Sequence, residues 1–318
     1  VSEFSLIERY FNRQKIRKSD DPVILDIGDD AAVLQPPAHH QLVVTIDTLV
    51  AGRHFPSETS AADIAYKSLA VNVSDLAAMA ATPAFFVLSL TLPDTDEIFL
   101  KHFSQGLFEA AQAFGIELVG GDTCKGPLSI TIQASGYVPD HTFVTRAGAK
   151  SGDHIFVSGE LGAAALGLAD LQGKIELEAH YKQTALNALN RPQPRIDLIS
   201  LLRDYASSAI DLSDGLVGDL PHILKKSGVG ATISQNLIPV SDWIKQHDAY
   251  HYAISGGDDY QLLFTVPEGR VTDLIQAAHD QTLKLYNIGT IGEQGFFMQR
   301  QNQLIDLSTT RGFDHFGA

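Results

Sequence analysis

The sequence holds a single cysteine, Cys124, so no internal disulfide can form, and a reducing compartment suits it. Bases are few: 23 Lys and Arg stand against 38 Asp and Glu, a formal charge of −15 with histidine neutral. A nucleic-acid backbone needs a basic surface, so that class of partner is disfavoured. The same charge repels nucleotide phosphates, so a phosphate-binding role calls for metal ions as intermediaries. No apolar run approaches the roughly 20 residues of a membrane span. The first residues place Phe4, Leu6, Ile7, Tyr10 and Phe11 at helical spacing among charges, unlike a signal peptide, and a cytoplasmic protein is expected. A phosphate-binding G-x-x-x-x-G-K-[ST] loop is missing, and glycine-rich 158–167 does not match G-x-G-x-x-G. The 12 histidines show no metal-ligand spacing, and no Ser-His-Asp arrangement can be argued.

What is present organises around Ile27-Gly28-Asp29-Asp30-Ala31-Ala32-Val33-Leu34. An apolar run reaches a glycine, two carboxylates follow, and a second apolar run departs, which reads as strand, turn, strand. At 318 residues, 44% hydrophobic and 19% charged, the chain suggests about two domains of ordinary globular composition. The pattern predicts a helix over 2–14, a strand over 41–47 and a helix over 60–81 with Ser60 as N-cap. A strand over 84–92, a helix over 96–114, a strand over 116–119 and strands over 128–138 and 142–146 follow. The small, glycine-bearing stretch 147–153 marks a junction between domains at 1–148 and 149–318. Beyond it strands are expected over 154–157, 207–212, 229–233, 260–266, 285–291 and 296–300. Helices are expected after 162, up to about 226 and over 271–279. Irregular alternation of the two makes an α/β or α+β protein in two lobes.

Asp30, Asp47, Asp75, Asp122, Asp211 and Asp214 recur at strand ends or among small residues in apolar contexts. Charges in such places stay ionised only when paired or metal-bound, and nearby bases are too few. Hard carboxylate oxygens without a Cys or His cluster point to Mg²⁺, which takes one or two carboxylates and completes its shell with water and phosphate. Gly120-Gly121-Asp122 suits either backbone contact with a phosphate or a tight turn. His54 sits in a polar loop, as a ligand contact or a solvated side chain.

One family carries the same motifs in the same order. They are Phe4-Ser5-Leu6-Ile7, the GDDAAV turn, 45–55 (Thr-Ile-Asp-Thr-Leu-Val-Ala-Gly-Arg-His-Phe), 70–79 (Ala-Val-Asn-Val-Ser-Asp-Leu-Ala-Ala-Met), Gly120-Gly121-Asp122-Thr123, 209–216 (Ala-Ile-Asp-Leu-Ser-Asp-Gly-Leu), 255–260 (Ser-Gly-Gly-Asp-Asp-Tyr) and Gly312-Phe313-Asp314-His315-Phe316. Together they resemble the thiamine-monophosphate kinase family, in the aminoimidazole-ribonucleotide-synthetase-like superfamily. The resemblance implies two α/β lobes, with N-lobe strands forming a β-barrel across a homodimer. It implies transfer of the ATP γ-phosphoryl group to thiamine monophosphate with several Mg²⁺ ions, the N-terminal domain carrying the dimer face and the Mg/ATP site. The C-terminal domain would complete the active site. Carried over by motif, Asp30, Thr45, Ile46, Asp47, Asp75, Asp122, Asp211 and Asp214 are the implied metal ligands. Gly121, Asp122, Arg146 and Ser213 are the implied ATP contacts, and His54, Asp258 and Phe313 the implied substrate contacts.

Three positions depart from the family's commoner pattern. Ile46 replaces a hydroxyl residue, leaving only its carbonyl to serve a metal. Asp258 replaces Glu, and Phe313 replaces Tyr or Trp. No general base is implied, because the acceptor is a phosphate monoester whose second pKa near 6 leaves it dianionic at neutral pH. The alternatives are another ATP-using enzyme of the superfamily, or a non-catalytic protein that binds Mg-nucleotide or thiamine phosphate.

Overall fold

A computed structural model describes residues 3–13, 21–246, 250–310 and 312. The chain divides into two compact units, one of Val1–Leu76 with Ala81–Thr142, the other of Ala77–Ala80 with Phe143–Ala318.

The first unit opens with α1 (Glu3–Leu6), which continues as a π-helical turn over Ile7–Phe11 and does not stay α-helical to residue 14 as expected. The short hairpin β1 (Val23–Leu25) and β2 (Val33–Leu34) carries the Gly-Asp-Asp stretch in its connection, with Gly28 at φ 127°. Next come β3 (His40–Val50), α2 (Ala61–Ala78), β4 (Thr82–Leu92), α3 (Glu97–Phe114), β5 (Glu117–Lys125) and β6 (Ser129–Pro139). The expected helix boundaries have visible causes. Ser60 accepts the Asp63 N–H at 3.2 Å, and Asp96 accepts those of Ile98 and Phe99 at 2.8 and 3.2 Å. Gly115 ends α3 in the left-handed conformation at φ 64°.

The four strands lie in the order β3-β6-β4-β5. Their side chains alternate between two faces. Phe86, Leu88, Leu90 and Leu92 of β4, with Ile130, Ile132 and Ala134 of β6, are buried on one. On the other face the hairpin packs Val23 and Leu34 against Phe85, Val119 and Tyr137. Tyr137 is the cross-strand partner of Leu42, so Leu42, Val44, Ile46 and Val50 share that face, and all four are exposed. Among the described residues β3 is also an edge strand, bonded only to β6.

The second unit contains β7 (His154–Val157), α4 (Ala163–Leu171), α5 (Ala179–Asn190), α6 (Ile199–Tyr205), β8 (Ser208–Asp211), α7 (Leu216–Ser227), β9 (Gly230–Ser234), α8 (Asp242–Gln246), α9 (Tyr250–Ser255), β10 (Leu262–Val266), α10 (Val271–Asp280), β11 (Tyr286–Gly292), β12 (Phe296–Arg300) and β13 (Gln303–Asp306). Seven strands form one sheet in the order β13-β12-β9-β11-β7-β10-β8, with β12 and β9 its parallel pair. Its central strands read as unbroken apolar runs because both faces are covered. Ile155, Val157 and Leu263 pack with Leu216, Leu220 and Ile223 of α7. Their neighbours Phe156, Leu262 and Phe264 pack on the other side with Leu202 of α6 and Leu274 of α10.

Two expectations fail. Residues 142–146 form a loop and not a strand: they join no sheet, and the Thr145 hydroxyl closes a local turn to the Ala147 carbonyl at 2.8 Å. The strand expected to stop at 119 runs on to Lys125, so Gly120-Gly121-Asp122 is not a tight turn. Gly121 is needed for close approach, since a Cβ there would lie 2.0 Å from the Leu88 carbonyl oxygen. Among the described residues no helix is long and apolar enough to cross a membrane.

Candidate functional site

In the first unit, strand alternation sends Thr45 and Asp47 to the face opposed by α2. The Thr45 hydroxyl donates to the Asp75 carboxylate at 2.5 Å, a short charge-assisted contact. Asp47 is pushed up to about 6 by desolvation and then by the negative charge of Asp75. A cation between the two carboxylates would remove both causes, so this donor set fits Mg²⁺, which needs only one or two carboxylates. Ile46 points the opposite way and is 62% exposed, so a metal contact from it falls to its backbone carbonyl.

The sheet register separates Asp122 from this pair. Asp47 lies in a cross-strand row with Ile132, Leu88 and Gly121, whereas Asp122 lies in the row of Thr48, Thr131 and Ser89. Cys124, two residues on, meets Thr91 at 3.3 Å on that second face. Asp122 is therefore on the opposite face from Asp47 and three strands away, about 14 Å at 4.8 Å per strand. Asp30 is exposed on the hairpin connection, its N–H donating to Asp29 at 2.9 Å. Among the described residues no three His, Cys, Asp or Glu side chains gather as a preformed cage.

His54 lies in a closed loop at the end of β3. Its backbone N–H donates to Val50 O at 3.1 Å, and its ring Nδ1 accepts the Val50 N–H at 3.0 Å. A backbone N–H can only donate, so the ring carries its proton on Nε2. Buried Lys67 on α2 reaches the His54 carbonyl at 3.5 Å.

In the second unit β8 ends on buried Asp211, and Ser213-Asp214-Gly215 turns into α7 with Gly215 at φ 87°. Asp219, 3% exposed on α7, accepts the Asp214 N–H at 2.9 Å. Burial raises its carboxyl to about 7, against the lowering influence of that bond and of Arg146. Arg146 itself is exposed on the loop after the first unit. His222 lies on the same helix, lowered by burial and by Arg146. Asp214 and His222 border an open groove of about 710 Å³ with Val217, Phe296, Leu307 and Thr310.

The loop over 255–260 is bonded to that turn. Asp258 N–H donates to Ser213 O at 2.9 Å and Tyr260 N–H to Leu212 O at 2.8 Å. Asp258 thus stands beside Ser213, as two implied contacts of different substrates would. Phe313 lies outside the described residues. Sequence reading passed over Asp219, Asp259 and Lys67, although the first and last interrupt apolar helices with a charge.

The chemistry of Asp47 gives a first expected result. Its folded pKa lies above the ordinary carboxylate value of 3.8, so the folded state holds a proton that the unfolded chain has lost. Stability of the metal-free protein therefore falls as pH rises from about 4 to about 6 and stays reduced above. Asp47→Asn should stabilise the protein in EDTA at pH 7.5 by on the order of 1–2 kcal/mol, allowing for partial exposure. Thermal melts with EDTA or Mg²⁺ check this; a lower melting temperature for the variant in EDTA contradicts it.

Comparison with known proteins covers both units. Residues 28–138 match the AIR synthase related protein N-terminal domain, and residues 150–299 match its C-terminal domain. A thiamine-monophosphate kinase of Escherichia coli K12 is 46% identical over 321 residues, covering 99% of this chain and 98% of that protein. One of Salmonella typhimurium is 49% identical over 324 residues, with 99% and 98% covered. The crystal structure of thiamine-monophosphate kinase from Stenotrophomonas maltophilia K279a superposes with a TM-score of 0.82 at 43% identity, covering 88% of this chain and 92% of that one. AaThiL complexed with AMPPCP and TMP superposes with a TM-score of 0.77 at 32% identity, covering 91% and 92%. The hydrogenase maturation protein HypE of E. coli, at 20% identity and a TM-score of 0.74, shares the fold.

Proposed function

The chain belongs to the thiamine-monophosphate kinase family, and from that premise we propose how its residues serve the reaction. It phosphorylates thiamine monophosphate with ATP, giving thiamine diphosphate and ADP. The observation that carries this reading is 46–49% identity along 99% of the chain, joined by a relative solved with an ATP analogue and TMP.

Asp30, Thr45, the Ile46 carbonyl, Asp47, Asp75 and Asp122 would hold Mg²⁺ in the N-terminal domain, and Asp211 and Asp214 would do so in the C-terminal domain. Bound there, Mg²⁺ would offset the charge that keeps two polyanions apart and would stabilise the transferring phosphoryl group. Gly121, Asp122, Arg146 and Ser213 bind ATP; His54, Asp258 and Phe313 bind the acceptor. No side chain removes a proton in the attack, since the acceptor phosphate is already dianionic. His54, protonated at Nε2, donates a hydrogen bond to an anionic oxygen. His54→Gln should then raise KM for thiamine monophosphate about tenfold, as loss of one hydrogen bond to a charged group does. The acidic limb of kcat/KM near pH 6 should persist. If the limb vanishes in the variant, His54 is the base and this account is wrong.

The same residues support a homodimer. The exposed apolar face of β3 and its unpaired edge suit a second copy. Two such sheets closing into a barrel would set the β5 edge of one copy, which carries Asp122, beside its partner's β3. Ile46→Lys should yield a monomer with little activity; an active monomer by light scattering would refute the shared barrel. Cys124 and the substrates suit a cytoplasmic enzyme.

The activity itself is tested by incubating the protein with γ-labelled ATP, Mg²⁺ and thiamine monophosphate. Label in thiamine diphosphate is expected. ATP hydrolysis without that product would leave the superfamily alternative.

A further inference from the structure

Asp259 lies beside Asp258 but is turned to a different task. Both its carboxylate oxygens lie 2.9 Å from Gly162 N, and the Ala164 N–H also donates to it at the start of α4. These are orphan donors of a helix end, which an acid satisfies well. Burial raises the carboxyl well above its ordinary value, against the lowering influence of those bonds. Gly162 is left-handed at φ 92°, and a Cβ there would press on the Ala253 backbone at 2.8 Å. The anchor point is therefore rigid.

The loop that Asp259 anchors is under strain. Asp258 and Tyr260, on either side, are both left-handed at φ 68° and 48°. Non-glycine residues hold that conformation only where several contacts over-determine it. Such contacts here include Asp258 N–H to Ser213 O, Tyr260 N–H to Leu212 O and, between them, the Asp259 carboxylate on α4. The Ser213 turn has separate support, from the Asp219 carboxylate on Asp214 N–H. Loss of the Asp259 anchor would therefore release the Asp258 side of the contact and leave the nucleotide side in place.

We propose that Asp259 is a positioning residue for the acceptor site: its carboxylate, bonded to the N-terminus of α4, holds Asp258 in the left-handed conformation in which Asp258 meets thiamine monophosphate. This rests on the reading of Asp258 as an acceptor contact.

The experiment is a double-mutant cycle on the full-length enzyme with Asp258→Gly and Asp259→Asn, and Asp259→Ala in addition. Glycine keeps the left-handed backbone without strain and removes the side chain. Asp259→Ala should raise KM for thiamine monophosphate about tenfold, a fraction of the loss that misplacement by 1 Å produces, with KM for ATP within about threefold. Asp259→Asn, which keeps one acceptor oxygen, should recover most of that loss. In the Asp258→Gly background the Asp259 change should add nothing, because it acts through a side chain no longer there. Additive effects, or a change confined to KM for ATP, would overturn the proposal. If Asp259→Ala fails to fold, the cycle with Asp259→Asn decides by the same criterion. Should Asp258→Gly alone leave KM for thiamine monophosphate unchanged, the reading of Asp258 fails and the proposal with it. If Asp258→Gly raises KM while both Asp259 variants behave as wild type, only the positioning role is lost.

Discussion

Asp75→Asn should reduce kcat by 10²–10³ or more, on the order of the loss of one transition-state charge stabiliser, while the protein keeps its fold. Asp75 accepts the Thr45 hydroxyl at 2.5 Å and adds its charge to the burial that lifts Asp47. Neutralising it lowers the affinity of the pair for a divalent cation and so the charge available to the two phosphates. Thr45 keeps a partner in the Asn oxygen, and α2 keeps its buried face, so the melting temperature in EDTA should not fall. AMPPCP affinity should depend on Mg²⁺ in the wild type and far less in the variant. Near-normal turnover, or equally tight nucleotide binding by the wild type in EDTA, would refute a metal role for this pair.

The second large effect is expected at Gly257, which carries no chemistry. A Cβ there would lie 2.3 Å from the Ser213 carbonyl oxygen, and no side-chain rotation relieves a clash with backbone. Gly215, on the facing side of the turn, has a Cβ position 2.6 Å from Gly256 O, so neither side can retreat. Gly257→Ala should push the two loops apart by about 1 Å, enough to lower kcat/KM about 10²-fold for both substrates. Gly269→Ala, where a Cβ meets nothing within 4 Å, is the control and should leave kinetics unchanged. Steady-state kinetics with each substrate varied in turn decides this. A Gly257→Ala enzyme within about threefold of wild type would mean that the two loops move independently.

What the sequence made legible follows from local physics. The helix over Glu97–Phe114 was readable because its cap, Asp96, and its terminator, Gly115, are neighbours in the chain. The hairpin around Gly28 was readable from apolar runs flanking a glycine and two acids. The acid positions carried their chemistry openly, since a carboxylate at a strand end in apolar surroundings demands a partner. What escaped depends on distance along the chain. The sequence left Gly121 open between a phosphate contact and a tight turn, because its neighbour across the sheet, Leu88, is more than thirty residues away. Asp259 meets Gly162 across 97 residues, and no local pattern announces that pair. β13, α8 and α9 were missed because their runs of four to six residues are polar enough that no continuous apolar stretch marks them. The face assignment of Asp122 needed the register of four strands, which no single segment contains.

We propose that the phosphoryl group passes in one step between the two substrates, with no covalent enzyme intermediate and no protein base. It is tested most directly by stereochemistry at phosphorus. ATP made chiral at the γ-position with sulfur and oxygen isotopes is incubated with thiamine monophosphate, and the configuration of the product's terminal thiophosphoryl group is read. A single in-line displacement inverts that centre, and inversion is the result expected here. Net retention would require two displacements through a phosphorylated side chain, and would contradict the account.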